Sequence, residues 1–291
     1  MNMDEIKIKI QKQDGNLSIK QFLKKNHVGR GKIEEIRVHK SSYINGTYHS
    51  IEDELSQDDI LSFSIQEEPD FLPDELPLQV VYEDNYILVV NKPTGLIIYP
   101  DNKNKTGTLV NRVANYYLKH NIHRKIRYLH RIDKETTGLI LFAKDFLSEA
   151  ILLKDIETHA IQRTYLALIE GELFNKNGVI KKNIAEDRHV NGKMCVNEKG
   201  KEAITFYQVV ETFSNYSLVE FQLHTGRTHQ IRVHASFLHH PLLGDVLYHG
   251  NKQFISRTAL HSYKMELLHP IRKEKLIIKV DLPDDMKKLL K

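Results

Sequence analysis

Apolar residues along this chain follow two spacings, and each change of spacing marks an element. Ile19, Phe22 and Leu23 recur at helical intervals after Ser18, and Ile33 and Ile36 share the inner face of a second helix over roughly 32–39. Tyr43-Ile44-Asn45-Gly46-Thr47-Tyr48 carries the Asn-Gly pair of a tight hairpin turn. Leu61, Phe63 and Ile65 alternate with serines, as in a half-buried strand. Residues 67–77 hold three prolines, which remove backbone donors and bias their predecessors away from helix. The expected organisation is a small module over 1–68, a linker over 69–77 and a larger domain over 78–291.

In the larger domain, apolar runs at 80–82 and 86–90 flank Glu83-Asp84-Asn85 and predict a hairpin, which Lys92-Pro93-Thr94-Gly95 then turns. A helix is expected over 108–119, with Leu109, Val113, Tyr116 and Tyr117 inward. A buried strand follows over 138–143, then a helix over 145–157 capped by Asp145. Strands are expected around 164–169, 203–210 and 217–223, and a helix over 228–238 with Ile231, Ala235 and Leu238 on one face. Strands near 259–267 and 275–280 precede a short terminal helix. This hairpin-like succession predicts an α+β fold with a largely antiparallel mixed sheet flanked by helices.

With 291 residues, 41% hydrophobic and 27% charged, the chain has the composition of a folded globular protein, and neither a disordered nor a fibrous one. A lone cysteine, Cys195, makes no internal disulfide and no Cys-based zinc site. The amino terminus has no apolar signal core, and no apolar run nears the ~20 residues of a membrane span, so a soluble cytoplasmic protein is expected. Charge is unevenly spread. Residues 1–40 carry ten basic and five acidic residues, 41–76 carry ten acidic and no basic ones, and 77–291 carry 32 basic against 23 acidic. A basic body suits a polyanionic ligand, although an ordinary Lys-rich surface gives the same balance.

Two stretches concentrate reactive groups. His130-Arg131-Ile132-Asp133-Lys134-Glu135-Thr136-Thr137-Gly138 occupies the turn before a buried strand. A rigid strand behind such a turn aims Asp133 into a cleft, and an adjacent guanidinium keeps it ionised, as a nucleophile or base requires. The plainer alternative is that Asp133 caps the turn and pairs with Lys134. The second stretch, Thr225-Gly226-Arg227-Thr228-His229-Gln230-Ile231-Arg232-Val233-His234, leads into a helix on which His229 and Arg232 share a polar face at i,i+3 spacing. An ordinary exposed helix face is the alternative there. A metal-dependent hydrolase using His229, His234, His239 and His240 is disfavoured, because adjacent His239 and His240 chelate poorly together and no carboxylate sits at ligand spacing.

The 130–139 run resembles the signature of the large-ribosomal-subunit type (RluA-like) RNA pseudouridine synthases. Val81-Tyr82-Glu83-Asp84 through Lys92-Pro93-Thr94-Gly95 is similar to that family's opening hairpin and turn, and Arg163-Thr164-Tyr165-Leu166-Ala167 to its tyrosine-bearing strand. Residues 225–234, then His240-Pro241-Leu242-Leu243-Gly244-Asp245 and Leu260-His261, resemble its third motif and closing strands. The likeness covers about residues 78–285; Ile132 stands where Leu is usual and Thr137 where Ser is commoner. The amino-terminal module resembles a degenerate S4 RNA-binding domain, with Gly29-Arg30-Gly31-Lys32 where a Ser-Arg pair is usual.

The resemblance implies isomerisation of uridine to pseudouridine within RNA, ribosomal RNA first and transfer RNA second, by a monomer with no cofactor and no metal. It implies Asp133 as the catalytic carboxylate, Arg232 as its ion-pair partner, Tyr165 as the residue stacking on the target base and Arg131 as the filler of the space the flipped base leaves. Tyr165 as an ordinary core aromatic and Arg131 as a phosphate clamp are the plainer alternatives. A catalytically silent RNA-binding or ribosome-assembly protein of the same fold is the rival function; the joint presence of Asp133, Tyr165 and Arg232 speaks against it. Removal of residues 1–70 is expected to weaken RNA binding and to leave the larger domain folded.

Overall fold

The structure, a computed structural model, describes residues 5–64, 67–101 and 105–291. A strand absent from the hydropathy reading comes first: β1 (Glu5–Lys9), with Ile6 and Ile8 buried between exposed Lys7 and Lys9. Ser18 opens α1 (Ile19–Lys25) through a reciprocal capping box with Gln21. Helix α2 (Arg30–Val38) buries Ile33 and Ile36. Strands β2 (Ser42–Ile44) and β3 (Thr47–Tyr48) form the expected hairpin, with Asn45 and Gly46 at φ of 52° and 82°. Strand β4 (Ile60–Ser64) completes an antiparallel sheet of order β1-β4-β2-β3. Ile65, the last position of that expected strand, lies outside the described residues.

Strands β5 (Gln79–Glu83) and β6 (Ile87–Lys92) pair as a hairpin. Then come α3 (Leu109–Lys119), the short β7 (Arg127–Tyr128), the wholly buried β8 (Thr137–Ala143), α4 (Phe146–Glu157) and β9 (Gln162–Glu170). Asp145 caps α4 by accepting from the backbone N–H of Leu147 and Ser148. Short strands β10 (Asn177–Lys181), β11 (Ile184–Glu186) and β12 (Met194–Val196) are not announced by the apolar pattern. They precede β13 (Ile204–Thr212), β14 (Tyr216–Leu223), α5 (Gln230–Phe237), β15 (Leu260–Leu268), β16 (Lys275–Lys279) and α6 (Asp284–Lys287).

The large sheet has ten strands and runs β10-β13-β14-β9-β15-β8-β6-β5, with β16 paired to β15 and β7 to β8. Among the described residues its pairings are antiparallel except that of β8 with β15. There the backbones meet so closely that a Cβ at Gly138, whose φ is 110°, would lie 2.3 Å from the Ser262 carbonyl oxygen. Leu88, Val90, Ile140 and Phe142 join the core shared with α3 and α5, while the alternate Ile87, Val89, Leu139 and Leu141 pack with Leu152 of α4. The fold is thus α+β, and helices cover both faces of the central strands. No helix among the described residues is long and apolar enough to cross a membrane.

The amino-terminal elements do not stand apart from this body. Their core includes Phe146, Leu147 and Ile151 of α4, and Phe63 meets Phe146 edge-on with ring centroids 5.5 Å apart. The Tyr86 hydroxyl donates to the Lys7 carbonyl at 2.6 Å. The acidic run supplies straps: Glu67 pairs with the buried Arg127, Glu68 meets His123, and Asp70 accepts from the Ile126 N–H. Burial pushes Glu67 up, but Arg127 outweighs it and holds the carboxyl below its ordinary range. Removal of residues 1–70, expected above to leave the larger domain folded, would thus uncover part of α4 and unpair Arg127 from Glu67. Deleting residues 1–66 is expected to lower the melting temperature by about 10 °C, because re-exposing Phe146 and Ile151 costs roughly 1.5–3 kcal/mol each. Calorimetry of the truncated chain checks this, and an unchanged midpoint would show that α4 needs no cover.

Candidate active site

Asp133 sits in the turn that enters β8, at the middle of the large sheet, and both flanks of that turn are clamped. Its own carbonyl accepts from the Thr136 N–H at 3.1 Å. On one side the Lys134 carbonyl accepts from Gly95 N at 2.9 Å and from Lys92 Nζ at 3.0 Å, while the Thr94 hydroxyl donates to the Glu135 carbonyl at 3.1 Å. On the other side the Glu135 carboxylate accepts from the Thr258 N–H and hydroxyl at 3.0 and 2.7 Å. Lys92 is fully buried and also donates to the carbonyls of Pro93 and Leu96. Burial pushes its pKa down to about 7, with the Asp133 charge opposing. Three carbonyl acceptors match the three N–H groups of the ammonium form, which is the form assigned here. The Lys-Pro-Thr-Gly turn therefore aims the aspartate's loop.

Helix α5 starts at Gln230 and not at 228, because His229 adopts a left-handed conformation at φ 56°. Arg232 does not lie on an exposed polar face, as its spacing from His229 suggests; it is 8% exposed. Gln230 and His234 bond to Thr205 of β13 on one side, and the 245–248 segment packs on the other, so little of the helix meets water. Asp245 takes the Arg232 guanidinium in a fork, accepting from Nε at 2.7 Å and Nη2 at 2.8 Å. That leaves Nη1 aimed at Asp133, whose Oδ2 accepts at 2.9 Å. Burial pushes the Arg232 pKa down, but Asp245 and Asp133 outweigh it and raise it, so the cation is permanent. Oδ1 of Asp133 accepts no hydrogen bond among the described residues, and the residue lines open cavities.

The Tyr248 ring lies under the Arg232 guanidinium, 4.9 Å from ring centroid to guanidinium carbon. Its oxygen accepts from the Met194 N–H, and its hydroxyl meets His229 Nδ1 at 2.9 Å. Burial pushes the phenol up to about 12 and pushes His229 down against the pull of Asp133. A neutral imidazole that accepts the Tyr248 proton at Nδ1 carries its own on Nε2, 3.8 Å from Asp133 Oδ2. The aspartate is thus faced on one side by a fixed cation and on the other by a weak neutral donor.

Two adjoining cavities of about 410 and 120 Å³ open beside Asp133. Arg131, Asp133, Tyr165 and Arg232 all line the smaller one. Tyr165 projects from β9 and is 4% exposed; burial raises its pKa, so the phenol is neutral. Arg131 does not supply the guanidinium at Asp133. It donates to the Tyr99 hydroxyl at 2.9 Å and lies over the Tyr99 ring, which is stacked on Tyr128 at the rim of the larger cavity. The ion-pair partner is Arg232, 99 residues away, and the alternative pairing of Asp133 with Lys134 does not form.

Asp245 and Tyr248 were missing from the candidates read from sequence. The usable signal was Gly244, which holds φ 74° and would place a Cβ 2.0 Å from the Arg257 carbonyl oxygen. That crossing fixes the backbone just before Asp245. The four histidines of the 229–240 run do not converge. His234 bonds to Thr205 and the Lys182 carbonyl, His240 bonds to the Glu170 carbonyl, and no metal-holding group of three or more His, Cys, Asp or Glu occurs among the described residues.

Comparison with known proteins gives a consistent result. A family model described as RNA pseudouridylate synthase matches residues 86–237. The RNA pseudouridine synthase YhcT of Bacillus subtilis is 37% identical over 258 residues, 88% of this chain and 84% of that protein. Ribosomal large subunit pseudouridine synthase D of Yersinia pestis is 37% identical over 240 residues, 78% of this chain and 74% of that protein. The structure of human RNA pseudouridylate synthase domain containing 1 superposes with a TM-score of 0.60 at 25% identity, over 70% of this chain and 83% of that one.

Proposed function

The chain belongs to the RNA pseudouridylate synthase family, and from that premise we propose that Asp133 isomerises a uridine of the large-subunit ribosomal RNA. The reaction class is that of an RNA pseudouridine synthase: the C1′–N1 bond of uridine breaks, the uracil turns, and C5 bonds to C1′ as the C5 proton leaves. The choice of ribosomal RNA is supported by relatives that carry large-subunit synthase names and cover most of this chain.

The observation that carries the role of Asp133 is its ion pair with Arg232, which Asp245 fixes from behind, at the mouth of a cavity walled by Tyr165. A base in a stem or loop leaves its stack at a cost of a few kcal/mol before a carboxylate can reach its sugar. The smaller cavity takes the flipped uracil against the Tyr165 ring. The free Oδ1 of Asp133 then meets the sugar, either bonding to C1′ or removing the 2′ proton, and Arg232 holds the carboxylate in place for both routes. Arg131 leaves Tyr99 and fills the vacated stack, as its flat cation suits. All these side chains come from one chain, which supports action as a monomer, and a ribosomal RNA substrate supports action in the cytoplasm. The S4-like module adds RNA backbone contacts through the exposed basic side chains of α1 and α2, such as Lys24 and Arg30.

Pseudouridine mapping by mass spectrometry, in cells lacking this gene and in cells carrying it back, tests the assignment. Loss of one or a few pseudouridines from large-subunit RNA, restored by the wild-type gene, is the expected result. Loss confined to transfer RNA would overturn the choice of substrate.

A further inference from the structure

Two residues before Tyr165, and therefore on the same face of β9, stands a cation that the mechanism above leaves idle. Arg163 is 8% exposed, its Nε is buried with no hydrogen-bond partner, and no carboxylate among the described residues pairs with it. A guanidinium held in this way is destabilising unless an acceptor arrives from outside. It lines the smaller cavity together with Thr136, whose hydroxyl is likewise buried without a partner. Gly226 lies against the guanidinium: a Cβ there would stand 3.0 Å from Nη2. Its apolar wall is Ile132, Tyr165, Leu223, Ile231 and Leu260, and Asp133 and Arg232 line the same cavity. The cation's field is felt within the cavity, where it adds to burial in pushing His130 down to about 3 and opposes burial at Tyr165. A slot with one apolar wall, in which Arg163 Nε and the Thr136 hydroxyl wait without partners, suits a flat heterocycle that bears carbonyl oxygens and gains negative charge during reaction.

We infer that Arg163 bonds to a carbonyl oxygen of the flipped uracil and takes up the charge the base acquires as the C1′–N1 bond breaks, with Thr136 bonding to its edge. The inference rests on the reading of this cavity as the uracil site. The bond's electron pair leaves with the base and spreads over N1, O2 and O4, while C1′ is either esterified by Asp133 or left unsaturated by loss of its 2′ proton. When C5 attacks C1′ the pair forms the new carbon–carbon bond as the Asp133–C1′ bond breaks or, on the other route, as the proton returns to C2′; the C5 proton then departs and N1 takes one up. Arg163 gains and loses no proton; it is an electrostatic catalytic residue.

Arg163→Gln, compared with wild type on a large-subunit RNA transcript, tests this by single-turnover kinetics, RNA affinity and thermal melting. The variant is expected to react about a hundredfold more slowly at saturating RNA, with affinity within about threefold. It is expected to melt no lower than wild type, because a buried unpaired charge has been removed. Fluorine at C5 stabilises the base anion, so on a 5-fluorouridine transcript the deficit in glycosidic cleavage should shrink by about tenfold. A rate within about threefold of wild type would overturn the inference. So would a loss expressed only as weaker RNA binding, the mark of a phosphate clamp, or an equal deficit on both transcripts with a lowered melting temperature, the mark of a scaffold residue. Wild-type protein inactive on transcripts and on RNA from cells lacking the gene would instead overturn the reading of the cavity, and this inference with it.

Discussion

Asp133→Asn is expected to slow pseudouridine formation by at least about a thousandfold in a single turnover, with RNA affinity within a few-fold of wild type. The substitution keeps size and shape, and its amide oxygen still offers an acceptor to Arg232 Nη1, which lies 2.9 Å from Oδ2. Arg232 also keeps Asp245, so the buried cation stays paired and the turn stays clamped by Lys92, Thr94 and Thr258. What disappears is the charge and the basicity of the group facing the cavity. Nucleoside analysis of quenched reactions reads the rate, and filter binding reads the affinity. A variant that reacts within tenfold of wild type would remove Asp133 from the chemistry.

Asp245→Asn is expected to cost about a hundredfold in the same rate although Asp245 is 1% exposed and lies behind the arginine. The carboxylate presents two oxygens to the Nε and Nη2 donors; an amide presents one oxygen and turns an N–H₂ group toward a guanidinium that only donates. Arg232 then loses its fork and its aim at Asp133. Breaking one partner of a buried pair also destabilises the fold by roughly 3–5 kcal/mol. The loss should appear in kcat, with KM little changed, because Asp245 is a positioning residue. Urea unfolding beside the kinetics separates the two effects. A destabilised variant with a normal rate would show that Arg232 needs no second anchor.

Elements with strong local signals were legible in the sequence. Ser18 and Asp145 cap helices, Asn45-Gly46 turns a hairpin, and the continuous apolar run at 138–143 is a strand buried on both faces. Strand β10 was not legible because Ile180 is its single buried residue, and β1 was obscured by the charges alternating with its isoleucines. The start of α5 was misplaced because a left-handed histidine carries no spacing signal. At the site, adjacency in the chain misled: Arg131 neighbours Asp133 in sequence but rests on Tyr99, while the working partner arrives from a helix packed across the sheet. Arg163 and Tyr165 lie in one motif, yet only the cavity shows that the arginine is buried without a partner. The acidic run of 41–76 reads as an awkward neighbour for RNA until Glu67, Glu68 and Asp70 are seen holding the two parts together.

Tritium release from RNA carrying [5-³H]uridine, isolated from cells lacking this gene, tests the central claim most directly, since forming the C5–C1′ bond expels the C5 hydrogen into water. Wild-type protein is predicted to release tritium to a plateau set by a few sites per ribosomal RNA, and Asp133→Asn to release none above background. Undiminished release by Asp133→Asn, or no release by folded wild-type protein from either mature RNA or ribosome-assembly intermediates, would contradict the account.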